Sequence, residues 1–404
     1  MVEYSLGLEG LPPYLFAKME SRITELRKKG VDIISLGKGD PDLPTPGFII
    51  DAISDALKDP KNHQYPTSQG EPETRQAVST WYKKRFKVDL DPDKEISITI
   101  GSKEGLANIS RAFLNPGDSV LVPDPAYPVY RQAATILTNG VPITLPLLEE
   151  NGFLPDLEFI KKQGKKAKIL FVNYPNNPTA AVADRSFLKS VAETANDLGI
   201  ILVYDNAYSE FSFDDYKAPS ILEFTDDAIE FHSVSKTFNM TGHRIGMAVG
   251  NADLITGLRR VKSQLDSGAP KYIQHGAVVA LDSYPPSGAK PDFVKKNMAV
   301  YRERRDVLVN GLAKCGFKCT PPKATFYVWV GVPGSCADFC DTLLKLGIVA
   351  TPGVGFGEHG EGYIRFALTQ PKERISEAVE RMMASKEICK SIACDTTRVK
   401  KGGR

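Results

Sequence analysis

Apolar residues recur along the chain at two periods. Phe16, Met19, Ile23 and Leu26 lie three or four apart and stop at Gly30, the spacing of an amphipathic helix closed by a glycine cap. Val31 to Leu36 then reads as a short strand, and Ile49, Ile53, Ala56 and Leu57, after Pro46, as a second helix. From about residue 95 short apolar runs alternate with helical ones. The pattern predicts strands at 96–100, 119–123, 168–172, 200–204, 230–234 and 245–249, and helices at 103–114, 128–137, 184–198 and 252–265. Strands rich in Ile, Leu and Val, separated by helices, predict an α/β fold with a mainly parallel sheet covered on both faces by right-handed crossovers. Near residue 270 the pattern changes. A helical stretch at 291–314 precedes strands at Phe317 to Thr320, Thr325 to Val330 and Tyr363 to Leu368, a smaller α+β domain that the N-terminal segment is expected to join. Periodicity weakens after about 385, where a mobile tail is expected.

Composition narrows the classes. Of 404 residues 42% are hydrophobic and 25% charged, which excludes disorder for most of the chain. The 51 basic and 49 acidic residues nearly cancel, so nothing calls for a nucleic-acid or anionic-membrane partner. Glu3, Pro12 and Pro13 break up the start, which does not read as a signal peptide, and the densest apolar run, Gly199 to Tyr204, is far shorter than a membrane span. A soluble, cytoplasmic protein is expected. Six cysteines at 315, 319, 336, 340, 389 and 394 lack zinc-finger spacing and read as reduced thiols, with no metal site.

Ligands of open α/β sheets bind at the carboxyl ends of the strands, and there polar residues collect. Gly101-Ser102-Lys103-Glu104-Gly105 opens a helix whose free N–H groups suit a phosphate, although a plain capped turn reads the same way. Tyr127 stands between turn residues, where its ring could stack on a flat ligand. Asn177 lies in Asn173-Tyr174-Pro175-Asn176-Asn177-Pro178-Thr179 at a strand tip. Asp205 follows the run Ile200 to Tyr204, and Ser235-Lys236 follows the strand ending at 234, with Arg244 before the next. A carboxylate or ammonium ending a buried strand needs a partner. Singly, each residue reads as turn, rim or surface. Together, a phosphate cradle, a buried acid, a stacking ring and an amine fit pyridoxal phosphate, which needs its phosphate at a helix start, an acid at the pyridinium nitrogen and a lysine for a Schiff base.

Ser233-Val234-Ser235-Lys236, with Thr241-Gly242-His243-Arg244-Ile245-Gly246, resembles the lysine signature of the fold-type I aminotransferases of class I and II. Asn177-Pro178-Thr179, Asp205 with Tyr208, and Tyr363-Ile364-Arg365-Phe366 fall where that family places its other functional groups, and the match runs from about residue 12 to 384. Pro12 to Phe16, Leu36 to Asp42, Gly101 to Gly105, Leu147 to Leu157 and Phe231 to Ser233 resemble more narrowly the LL-diaminopimelate aminotransferases. The resemblance implies a large domain (46–270) with a mainly parallel seven-stranded sheet between helices. It implies a smaller domain built from both termini (1–45 and 271–385), leaving 386–404 as the tail. It further implies that Lys236 holds the cofactor and moves the proton, that Asp205 pairs with the pyridinium, and that Asn177 and Tyr208 bond the ring oxygen. Tyr127 stacks on the ring, while Ser102, Lys103, Ser233, Ser235 and Arg244 surround the phosphate. Tyr65 reaches the other subunit's phosphate, implying a homodimer with shared sites. Arg365 clamps the substrate carboxylate, with Tyr14, Gly39, Lys103, Tyr127 and Asn177 around the substrate.

The implied reaction makes LL-2,6-diaminopimelate from tetrahydrodipicolinate, a step of lysine biosynthesis, with amino acids and 2-oxo acids as substrates. An aspartate, alanine or aromatic aminotransferase, or a carbon–sulfur β-lyase, shares these cofactor residues. A transcriptional regulator would need a DNA-binding module, and none precedes the match. Four positions depart from the family pattern: Ala180 for glycine, His243 for tryptophan, Asn206 for alanine or glutamate, and Ser68 where plant-type members use a glutamate for the distal amine.

Overall fold

The structure, a computed structural model, describes residues 2–12 and 15–388; the expected tail beyond 388, with Cys389 and Cys394, and Tyr14 lie outside the described residues. Seven strands form the large sheet: β1 (Ile96–Thr99), β2 (Ser119–Asp124), β3 (Val141–Pro146), β4 (Ala167–Asn173), β5 (Ile201–Asp205), β6 (Ala228–Ser233) and β7 (Gly246–Gly250). Their order is β1-β7-β6-β5-β4-β2-β3. β7 runs antiparallel to both neighbours, and the other pairings are parallel. Alternate residues of the central strands feed two cores: Leu170, Val172, Leu202 and Tyr204 one, Ile169, Phe171, Val203 and Ile229 the other. That two-sided burial is why these strands read as continuous apolar runs.

The register sets the site. Asn173 is opposite Asp205, Asp205 opposite Phe231, and Ser233 opposite Gly246, so Asn173 and Asp205 end their strands side by side and Ser233 lies two residues further along the next strand. A second, antiparallel sheet holds Thr351–Pro352, Tyr363–Ala367 and Tyr327–Gly331. The N-terminal segment joins this part of the molecule: Ile34–Ser35 pairs with Ile348–Val349, and the Ala367 N–H donates to the Leu36 carbonyl at 2.6 Å.

Three local expectations differ from the structure. β3 carries no clear apolar run because it is a half-exposed edge strand, the place where Pro142 and Pro146 are tolerated. Residues 128–137 form no α-helix. The N–H groups of Ala134, Ile136 and Leu137 donate to carbonyls five residues back (2.9–3.0 Å), and the stretch ends in the 3-10 turn Ile136–Thr138. The Thr135 hydroxyl donates to the Tyr130 carbonyl at 2.7 Å, competing with the regular helical bond. Phe317 to Thr320 is not a strand but caps the helix Asp292–Lys314. Gly316, at φ 96°, turns the chain so that the Phe317 N–H reaches the Leu312 carbonyl at 3.0 Å, and the Phe317 ring meets Phe339.

His232 on β6 is buried against Trp81, with Nε2 2.7 Å from the Ser209 hydroxyl. Burial pushes its pKa from 6.5 down to about 4. A depressed imidazole contributes stability that is present above 6.5 and lost as pH falls toward 4. Relative to His232→Gln, the cofactor-free wild type should therefore lose about 3 kcal/mol of unfolding free energy over that interval, measured by denaturant melts. Parallel pH profiles for the two proteins would refute this.

Candidate active site

A cavity of about 320 Å³ opens at the carboxyl ends of β4, β5 and β6, beneath the second sheet. Its floor is Asp205. Register carries that carboxylate to the end of a buried strand, where the Tyr130 hydroxyl donates to Oδ2 at 2.7 Å and the Ala207 N–H to Oδ1 at 3.2 Å. Burial outweighs these bonds and pushes the carboxyl up to about 6. Above it stands Lys236, in the one-turn helix Val234–Thr237 that follows β6. Burial lowers the ammonium to about 8, with Arg244 and Arg365 adding to the fall and Asp40 and Asp205 opposing it.

One wall is an anion cradle. The helix Ser102–Phe113 begins after Gly101, whose φ of 75° suits glycine, and a Cβ there would run into the Arg244 guanidinium. A Cβ on Gly246 would lie 2.7 Å from the Ser102 nitrogen. Arg244 is anchored by the carbonyls of Thr241 (2.9 Å) and Ile100 (3.3 Å). Ser102, Lys103, Ser233 and Ser235 complete the wall, and burial, with Arg244 nearby, lowers the Lys103 ammonium. Gly101→Ala should therefore cost about 1–3 kcal/mol of stability from a backbone conformation (φ 75°, ψ 153°) open essentially to glycine alone and weaken phosphate binding by displacing Arg244. Thermal melts with and without inorganic phosphate measure both, and an unshifted melt with full phosphate protection would exclude the crowding.

The opposite wall comes from the second sheet. Arg365 is buried, donating to the Asn177 amide oxygen (2.8 Å) and the Gly37 carbonyl (2.9 Å). Its guanidinium carbon lies over the rings of Tyr327 (4.1 Å to the ring centre) and Phe356 (4.6 Å). Asp124, at the end of β2, fixes the Phe356 loop by accepting from the N–H groups of Glu358 (3.2 Å) and His359 (3.0 Å). Gly39 packs on the Tyr327 hydroxyl so closely that a Cβ would collide with it.

A family model described as aminotransferase class I and II matches residues 31–382. The chain belongs to that family. The LL-diaminopimelate aminotransferase of Desulforudis audaxviator is 50% identical over 382 residues, covering 93% of this chain and 96% of that protein. The enzyme of that name from Aquifex aeolicus is 50% identical over 389 residues, covering 95% and 99%. Among solved structures, the aspartate aminotransferase of Thermus thermophilus with maleate superposes with a TM-score of 0.88 at 29% identity, covering 95% of this chain and 99% of that one.

In this aminotransferase the cavity gathers Ser102, Lys103, Tyr127, Asn177, Asp205, Tyr208, Ser233, Ser235, Lys236, Arg244, Arg365 and Gly39. Tyr65 does not line it; the side chain is 86% exposed. The hydroxyl of Tyr208 lies 3.0 Å from that of Tyr327. Sequence reasoning missed Tyr130, Asn173, Tyr327 and Phe356. Asn173 ends a predicted strand, and Tyr130 stands three residues after Tyr127, so a signal existed for both. Tyr327 and Phe356 lie on a distant part of the chain and carry no local one. Of the departures, Ala180 adopts φ 58°, the left-handed turn that glycine would take. The Asn206 amide donates to buried Glu230 at 2.9 Å, and His243 Nε2 lies 3.5 Å from the Thr45 hydroxyl.

Proposed function

We propose that this aminotransferase interconverts LL-2,6-diaminopimelate and tetrahydrodipicolinate, with glutamate and 2-oxoglutarate as the second amino acid and 2-oxo acid pair, using pyridoxal phosphate. The observation that carries the cofactor is the alignment of Asp205, Lys236 and the Ser102 cradle in one cavity. A buried carboxyl, a desolvated amine and a glycine-built anion site match the three polar features of that molecule. The substrate rests on the near-full-length relatives at 50% identity.

Bound pyridoxal phosphate supplies a conjugated ring that accepts the electron pair released at the substrate Cα. The remaining work belongs to this chain. Asp205 presents an anion to the ring nitrogen and holds a proton there, the Tyr130 hydroxyl fixing its orientation. Lys236, lowered to about 8, is a base at working pH once freed from its own linkage, and carries the proton to and from Cα. Arg365 orients the substrate carboxylate with two parallel N–H groups, and its bonds to Asn177 and Gly37 and its contacts with the Tyr327 and Phe356 rings hold that fork in place. Phe356 and Tyr327 exclude water on that side. Tyr65, exposed on its own subunit, belongs by this reading to the partner's cradle in a homodimer.

A half-reaction tests the substrate. LL-Diaminopimelate and glutamate should each convert the bound cofactor to its amine form, followed by absorbance, while aspartate and alanine should not. Conversion mainly by aspartate would keep cofactor and lysine and replace the substrate. That outcome is the one the Thermus thermophilus neighbour would favour.

A further inference from the structure

A second cavity has a volume of about 770 Å³. It is bounded by the end of the helix Pro72–Phe86, residues 212–217, and the start of the helix Asp292–Lys314. Lys84, Lys87, Lys217, Lys290, Lys295 and Arg302 line it. Among the described residues only Lys295 of these six has a carboxylate within 4 Å, Asp292 at 3.0 Å. Lys84 and Lys87 donate to the backbone carbonyls of Tyr284 (3.0 Å) and Lys84 (3.1 Å), and Lys290 to the Ser212 hydroxyl at 2.6 Å.

Of the acids nearby, Asp214 and Asp215 themselves line the cavity, and among the described residues Asp215 has no cation within 4 Å. Asp214 pairs with Arg305, and Glu210 is buried behind the cavity against Arg85 and the Tyr284 hydroxyl. Asp214 and Asp215 both adopt positive φ (51° and 60°), strained for these residues, in the loop that turns Asp214 toward Arg305. Burial lowers the Lys290 ammonium to about 8, against the pull of Glu210. Like-charged groups converging on one cavity focus a positive potential there. The volume lies within the range of small-molecule sites.

We propose that this cavity binds a small polyanion carrying a diphosphate group, free or on a nucleotide. Four of its five unshared cations are lysines, compact point charges suited to phosphate oxygens rather than a flat fork shaped for carboxylates.

The test uses full-length enzyme loaded with pyridoxal phosphate, so that the Ser102 cradle is filled. Inorganic pyrophosphate, ATP and citrate are titrated calorimetrically at low salt into wild type and into a Lys217→Glu, Arg302→Glu double variant. Pyrophosphate should bind once per chain, the variant should bind at least tenfold more weakly, and turnover without pyrophosphate should be equal in both. Tighter binding of ATP would identify a nucleotide as the carrier; equal binding would identify the free diphosphate. No binding to loaded wild type, equal binding by the variant, or citrate binding as tightly as pyrophosphate would each overturn the proposal.

Discussion

Replacing Lys236 by alanine is expected to lower transamination by roughly 10⁴-fold, the upper range for removal of a positioned acid–base group, and to abolish the visible absorbance of the lysine-linked cofactor. Among the described residues neither other lysine lining the cavity is placed to take over: Lys103 belongs to the anion wall, and Lys38 stands on the rim, 3.7 Å from Asp40. The surroundings of Lys236 explain the size of the effect. Burial lowers its ammonium to about 8, so the free amine is populated near neutrality, and the Phe326 ring lies 5.6 Å from Nζ. Stopped-flow half-reactions with LL-diaminopimelate measure the loss. Substantial residual transamination by Lys236→Ala would sink the assignment.

Arg365→Lys keeps the charge and removes the fork. A lysine ammonium cannot reproduce the planar contact with the Tyr327 and Phe356 rings, nor reach both Asn177 and Gly37 while presenting two parallel donors. The loss of a charged hydrogen bond, about 2–3 kcal/mol, corresponds to a fall of about 30- to 150-fold in kcat/KM for carboxylate substrates. The resting absorbance should persist, because Lys236 and Asp205 are untouched. Unchanged kinetics would remove Arg365 from the site.

The large sheet was legible because its strands are buried on both faces, which leaves apolar runs too regular to mistake. The site was legible for a related reason: a charged residue closely following such a run, as at Asp205 and at Lys236 after Ser235, has little reason to be there unless something binds it. Less legible were places where local signals mislead. The apolar residues of 128–137 suit a helix, yet the Thr135 hydroxyl draws the bonds out to five-residue spacing. Phe317 looks like a strand residue and is a helix cap. The second sheet's share of the cavity is invisible locally, since Phe356 reaches Arg365 only because Asp124, on another element, holds its loop.

One set of bonds reaches further than its lengths suggest. Arg365 donates to the Asn177 side chain, the Asn177 N–H donates to the Asn173 side chain at 2.9 Å, and the Asn173 amide donates to the Asp205 carbonyl at 2.8 Å. The proposed substrate clamp and the proposed partner of the ring nitrogen are thus joined by one relay of hydrogen bonds, and substitutions at Arg365 and Asp205 should combine non-additively. For anyone re-tailoring this scaffold to another amino acid, the clamp is not a replaceable module. The adaptable ground is the exposed Lys38 side chain at the rim, which lies 3.7 Å from Asp40 and bonds no member of that relay.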